Sequence, residues 1–211
     1  MANKGCPFGQ PFLLMEVRTV LPAISIETPR LLLREPRASD LDAVADSLAD
    51  AQVMAHLGGV QSRPQAWRTY AGQIGGWVLR GYGMFSVFEK TTGDWIGRIG
   101  PNHPEGWPGQ EIGWAVTTEA QGRGLAFEAA AACMDFAFEE LGWPEVIHCI
   151  EDANERSVAL ARRLGSEPLR EATLPPPLSS VTVRVWGQPR EAWRAARGAR
   201  VAWSPRRSTR A

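Results

Sequence analysis

The stretch Glu111–Ala126 reads Glu-Ile-Gly-Trp-Ala-Val-Thr-Thr-Glu-Ala-Gln-Gly-Arg-Gly-Leu-Ala, and its last six residues have the composition of an anion cradle. Gly122 and Gly124 stand between an apolar run and an Ala-rich segment, the arrangement of a bend joining a strand to a helix. A Cβ at these positions would block close backbone approach and the unusual dihedrals such a bend needs. The bend can turn successive N–H groups inward. The helix start adds unpaired donors and the positive end of its dipole. Arg123 offers further charge to a phosphate. A pyrophosphate is the natural occupant, and a ligand-free tight turn is the plainer reading of the same residues. The stretch is no Walker loop, because Gly-Lys-Ser/Thr is absent. It is no dinucleotide fingerprint either, since the third glycine is missing and the preceding sheet reads as antiparallel.

The elements that must hold this bend follow from periodicity and punctuation. Leu31–Glu35 reads as a short strand bounded by Pro29 and Pro36. Ser39 and Asp40 offer caps for a helix to about Leu48, and Ser62 with Pro64 opens another to about Arg80. Met84–Glu89 and Trp95–Gly100 form a hairpin around Thr92-Gly93-Asp94, and Glu111–Val116 is a third central strand. Gly124–Leu141 is the longest helical stretch, stopped by Gly142, with Leu125, Met134, Phe138 and Leu141 directed inward. Val146–Ile150 reads as a strand, Asn154–Leu164 as a helix ended by Gly165, Val181–Trp186 as a late strand and Pro189–Ala196 as a short helix. The predicted order, β-α-α-β-β-β-α-β-α-β-β, specifies a mixed α/β sheet of the α+β kind, neither a barrel nor a doubly wound fold.

With 211 residues, 44% hydrophobic and 22% charged, the chain is expected to form one soluble domain. Residues 23–196 would be the domain, 1–22 a poorly ordered extension and 197–211 a basic flexible tail. The formal net charge is zero, which gives no case for nucleic acid or membrane as partner. From Arg184 onward, however, eight arginines face one acid, Glu191. Cys6, Cys133 and Cys149 have no metal-site spacing and no disulfide framework, so no metal is expected and free thiols in a cytoplasmic setting are.

Gln121-Gly122-Arg123-Gly124-Leu125-Ala126 resembles the Gln/Arg-x-x-Gly-x-Gly/Ala motif of the GNAT superfamily of N-acetyltransferases. Thr28–Arg34 resembles the opening strand of the branch that includes the ribosomal-protein N-terminal acetyltransferases. Asp40-Leu41-Asp42, Val53–Gly59, Gly93-x-x-Ile96-Gly97 and Asn154-x-x-Ser157 with Leu164-Gly165 are similar to further family segments, in the family's order, over about residues 24–196. The resemblance implies a mostly antiparallel sheet of six to seven strands, flanked by about four helices, with a splayed parallel pair at its centre. Two departures stand out: Ser166 where the family usually has Phe, and the Pro175–Pro177 run.

The resemblance also implies roles. The backbone of Gln121, Gly122, Arg123, Gly124, Leu125 and Ala126 would grip the pyrophosphate of acetyl-CoA, and Val116 and Thr118 would meet the pantetheine arm. Asn154 is a candidate for that arm or a plain helix cap. Ser157 is a candidate acid toward the leaving thiolate or a capping Ser. Glu111 is the preferred general base, as a protonated amine must lose a proton before attack, and the alternative is an exposed strand-end carboxylate. His103 is a rival base, with Glu27 and His56 behind it. Trp107 is the favoured acceptor contact, and Trp67, Trp77 and Trp114 are further candidates. The expected activity is direct acetyl transfer from acetyl-CoA to a primary amine, on a peptide N-terminus or a small molecule, by an enzyme that could be a homodimer. A silent CoA-binding domain, another acyl donor such as succinyl-CoA, and a nucleotide-binding module remain alternatives.

Overall fold

The computed structural model describes residues 24–197 and 205–207. Residues 1–23, with Cys6 and the expected extension, lie outside the described residues, as does most of the expected basic tail.

A single sheet forms the frame. Its strands are β1 (Ile24–Glu27), β2 (Leu31–Arg34), β3 (Phe85–Glu89), β4 (Trp95–Asn102), β5 (Glu111–Val116), β6 (Glu145–Ile150), β7 (Glu167–Thr173), β8 (Thr182–Pro189) and β9 (Pro205–Arg207). They lie in the order β7-β8-β6-β5-β4-β3-β2-β1-β9, and every neighbouring pair is antiparallel except β5–β6. The mixed, mostly antiparallel sheet is therefore as the sequence indicates, widened to nine strands. β1 is only four residues long. In β7 almost every residue is exposed, so no apolar alternation betrays it.

The helices are α1 (Leu41–Ala49), α2 (Ala51–Met54), α3 (Arg63–Arg80), α4 (Leu125–Glu139), α5 (Glu155–Leu164) and α6 (Arg190–Arg197). Local chemistry sets their ends. Ser62 and Gln65 form a capping box at the start of α3, and Gly81 closes it in the left-handed conformation (φ 74°). α4 places Leu125, Ala129, Cys133, Met134 and Phe138 in the main core, with Leu141 beyond its end partly buried. A second core joins α1 to α3, with Trp95 packed against it. Trp77 is fully buried and stacks edge-on against Phe85, whereas Trp67 is 58% exposed. Neither lines an acceptor cleft: one is core and the other lies at the surface.

Gly97 shows how tightly β4 and β5 are drawn together. Its φ is +152°, and a Cβ there would lie 2.3 Å from the Ala115 carbonyl oxygen and 2.8 Å from Val116 Cα. Both contacts are with backbone, so no rotamer change relieves them. Gly97→Ala should cost about 3 kcal/mol, which for a domain of this size lowers Tm by roughly 10 °C. Calorimetry of the variant checks this, and an unchanged melt would show that the two strands have room to part.

Candidate active site

The site grows from one irregularity in the sheet. β5 and β6 share a single register pair, Glu111↔Ile147, supported by Ile147 N–H donating to Gln110 O (2.9 Å). Beyond that rung side chains take over from backbone. Glu111 Oε1 accepts from Cys149 N–H (2.8 Å), and His148 Nδ1–H donates to Ile112 O (2.7 Å). Thr117 N–H donates to Ile96 O on β4 (2.9 Å). By strand alternation the main-chain groups of Trp114 and Val116 therefore face away from β4, into the gap. This is the splayed parallel pair.

A cleft of about 970 Å³ opens along the gap. Its lining includes Trp114, Ala115, Val116, Thr118, Gln121, Gly122, Gly124, Ala126, Asn154 and Ser157. Gly122 and Gly124 are left-handed (φ +72° and +76°), and the space beside Gly122 is open. Gly124 is the N-cap of α4, and no side chain caps the helix. The first N–H groups of any helix lack intrahelical partners, so those of Leu125 and Ala126 are offered to the cleft. Leu125 contributes backbone alone, because its side chain is fully buried. Salt links hold the bend from behind. Arg30 Nη1 donates to Arg123 O (3.0 Å) while its Nε pairs with Glu128 on α4 (2.6 Å). Thr118 Oγ1 donates to Asp50 Oδ2 (2.9 Å), and Asp50 in turn caps α2.

One sequence expectation is corrected here. The Arg123 guanidinium does not face the cleft; it is held by both oxygens of Glu89 (2.9 and 2.6 Å). The cations on the cleft lining are Arg156, which donates to Gln121 Oε1, and Arg163, which lies 4.6 Å over the Phe127 ring. The sequence carries no signal for either, although they lie two and nine residues beyond Asn154 on the α5 helix that it indicates.

A smaller cavity of about 230 Å³ shares His56, Leu57, Trp114, Ala115, Asn154 and Ser157 with the cleft. Glu111 lies in it and is only 6% exposed, so it is no surface strand-end carboxylate. Its Oε2 accepts from Asn102 Nδ2 (2.9 Å) and from Trp107 Nε1 (2.8 Å). Burial pushes its carboxyl above the usual range, against the pull of the Cys149, Asn102 and Trp107 donors. Trp107 thus lines the cavity and orients Glu111. Ser157 Oγ accepts from Trp114 Nε1 (3.1 Å), which leaves the serine proton to donate. Asn154 caps α5 with its side chain rather than its backbone: Oδ1 accepts from Ser157 N–H (3.1 Å). His56 pairs with Glu151 (2.9 Å) where the two cavities meet. His103 is not part of the lining, and burial followed by Arg80 pulls its pKa down. Cys133 is buried core. Cys149 is half-buried on the small cavity's lining, and burial pushes both thiols up, so neither is a thiolate nucleophile.

His148 was not singled out from the sequence. It is 1% exposed and burial holds its pKa down to about 4, so it is neutral. Its Nε2 accepts from Ser166 Oγ (3.1 Å), which accepts from Gln188 Nε2 (3.1 Å). Ser166, the departure from the family's aromatic residue, is thus part of a buried polar network.

A family model described as an acetyltransferase (GNAT) domain matches residues 30–167, and the chain belongs to that family. It is 29% identical over 147 residues to the uncharacterized protein YkkB of Bacillus subtilis (strain 168), covering 66% of this chain and 76% of that one. The acetyltransferase structure from Agrobacterium tumefaciens strain C58 matches with a TM-score of 0.69 and 28% identity, over 89% of this chain and 99% of that one. The fold is shared with spermidine N-acetyltransferase from Vibrio cholerae in complex with CoA and spermine, at a TM-score of 0.64 and 16% identity, over 79% of this chain and 99% of that one.

Two tests follow from this geometry. Ala126 is the second residue of α4 and lines the cleft. A Glu there suits the helix dipole, so folding is spared, but its charge opposes an anion. Ala126→Glu should weaken CoA binding by roughly 100-fold, about 3 kcal/mol, with Tm nearly unchanged; equal affinity by calorimetry would remove the cradle. His148 is ordinarily protonated below pH 6.5 once unfolded, but in the fold only below about 4. The unfolded state therefore binds more protons between these values, and stability falls as pH drops from 6.5 to 4, by about 3 kcal/mol. Urea titrations should show that slope flattened in His148→Gln, and parallel slopes would count against a neutral His148.

Proposed function

We propose that the protein transfers the acetyl group of acetyl-CoA to a primary amine in a ternary complex. The observation that carries this reading is the meeting of two cavities at Trp114 and Ser157, one lined by the glycine cradle and the other holding a buried carboxylate. The cradle fits CoA: it combines open space at Gly122, an uncapped helix start, cations at Arg156 and Arg163, and unpaired strand backbone at Trp114 and Val116. Acetyl-CoA supplies an acetyl group activated as a thioester.

In this reading the backbone of residues 121–126 holds the pyrophosphate. Val116 receives the pantetheine arm as an added strand, and Thr118 positions the bend through Asp50. Glu111 takes the proton from the acceptor ammonium. Its raised pKa matches that task better than an ordinary carboxylate's would. Ser157 donates its hydroxyl proton to the departing sulfur. The Val116 N–H faces the place where negative charge develops on the carbonyl oxygen. The spermidine N-acetyltransferase that shares this fold carries CoA and spermine, which supports an amine acceptor and CoA as carrier.

Release of free thiol from acetyl-CoA, assayed against peptides, polyamines and amino acids, tests the activity; CoA binding without turnover of any amine would instead support a silent domain. Glu111→Gln should lower kcat/KM about 100-fold or more and remove the acid limb of the pH–rate profile, since the carboxylate works only above its raised pKa. Ser157→Ala should lower kcat while sparing CoA affinity. A wild-type pH profile in the first variant, or a wild-type kcat in the second, removes that residue from the mechanism.

A further inference from the structure

The small cavity holds a charge that the acetyl-transfer reading does not use. Arg98 on β4 lines it together with Glu111. The register pairs Asn102↔Glu111, Gly100↔Gly113 and Arg98↔Ala115 put Arg98 and Glu111 on one face of the sheet. Four residues of strand, about 13 Å, separate the two along that face, and the step between them is glycine on both strands. Among the described residues the Arg98 guanidinium forms no ion pair, and its hydrogen bond goes to a neutral acceptor, Gln73 Oε1 (3.3 Å).

The acids of the cavity lining already have partners, as has Asp40, which lies beyond the Ser86 that pairs with Arg98 across the strands. Asp40 is held by Arg34, by Ser86 and by the Arg37 N–H. Glu151 is held by His56, and Glu111 by three N–H donors. Burial opposes the Arg98 charge, yet an arginine stays protonated. A cation kept without a counter-ion beside a cavity leaves that part of the charge balance for a ligand to complete.

Resting on the acetyl-transfer reading, we infer that the acceptor is a free amino acid with an apolar side chain, its carboxylate received by Arg98 while its ammonium faces Glu111. Part of the remaining wall is apolar, with Leu57, Met84, Leu174, Leu178 and Val183, which suits an apolar side chain, while His56, Glu151, Asn154 and Ser157 make another part polar. A cavity of about 230 Å³ matches one such residue. The guanidinium also supplies selectivity, because an amine lacking the acid would leave it unpaired.

Calorimetric titration of the CoA-saturated protein with L-leucine, L-methionine and L-phenylalanine, each beside the amine lacking only its carboxylate, tests this. At least one acid should bind about 10- to 100-fold tighter than its amine. Arg98→Gln should bring that ratio close to one, and Arg98→Lys should keep part of it. Should Arg98→Gln fail to fold, the wild-type ratio and the Lys variant decide. Ratios near one in the wild type, or equal weakening of acid and amine in the variant, would overturn the assignment. Thiol release with the same six compounds separates the two readings: turnover without carboxylate preference sinks the Arg98 site alone, and selective binding without turnover sinks acetyl transfer alone.

Discussion

A parallel strand pair that separates after one rung leaves backbone donors and acceptors inside a protein, and each of them must find a partner. In this chain the separation begins just past Glu111↔Ile147. Two side chains meet the demand at the near end: Glu111 accepts the Cys149 N–H and His148 donates to Ile112 O. Further along, Trp114 and Val116 keep their groups for whatever enters the cleft. Glu111 therefore has a structural task before any chemical one. Its burial raises its pKa, while the bridging Cys149 N–H pulls it down. Basicity and sheet geometry are two consequences of one placement.

The second constraint is that an anion cradle made of backbone must be stiff. Hydrogen-bond donors that had to be ordered on binding would lose much of their worth. Here the bend is fixed from three sides, by Arg123 with Glu89, Arg30 with Glu128, and Thr118 with Asp50. The arginine inside the glycine motif is spent on this framing. In the proposed reading, attraction for phosphate falls to the N–H groups and to Arg156 and Arg163 across the cleft. Surface ion pairs are individually weak, but Glu89 and Glu128 are largely buried partners, and both pairs converge on Arg123, one through its guanidinium and the other through the Arg30 bond to its carbonyl.

What could be read in the sequence was what is encoded locally. The helix stop at Gly165, the Ser62 start, the Thr92–Asp94 turn and the glycine bend each depend on residues a few positions apart. All were legible. β7 was not, because an edge strand exposed along its length carries no alternating signal. The orientation of Arg123 was not, because Glu89 lies 34 residues away and only the hairpin's return brings it close. Glu111 was placed correctly at a strand end, yet its burial depends on Trp107 and Asn102 closing over it, and Trp107 sits in a loop with no periodicity. Arg98 carries no local signal that separates it from any polar residue in a hairpin strand. Its significance comes from the partners that its neighbours had already taken.

Ser166 connects these points. A phenylalanine at this position, as the family commonly has, could not donate to His148 Nε2. The imidazole would then be free to carry its hydrogen on either nitrogen. In this chain Ser166 accepts from Gln188 and is left to donate to Nε2, which places the imidazole hydrogen on Nδ1. Only that tautomer can donate to Ile112 O across the gap. A neutral imidazole is also the form that burial demands. The polar residue that departs from the family pattern thus selects the hydrogen position on which the side-chain bridge between β5 and β6 depends. Trp114 on the cleft wall lies against His148, ring centroids 4.7 Å apart and tilted by 48°, so the Ser166–His148 pair backs the residue that lines the cleft.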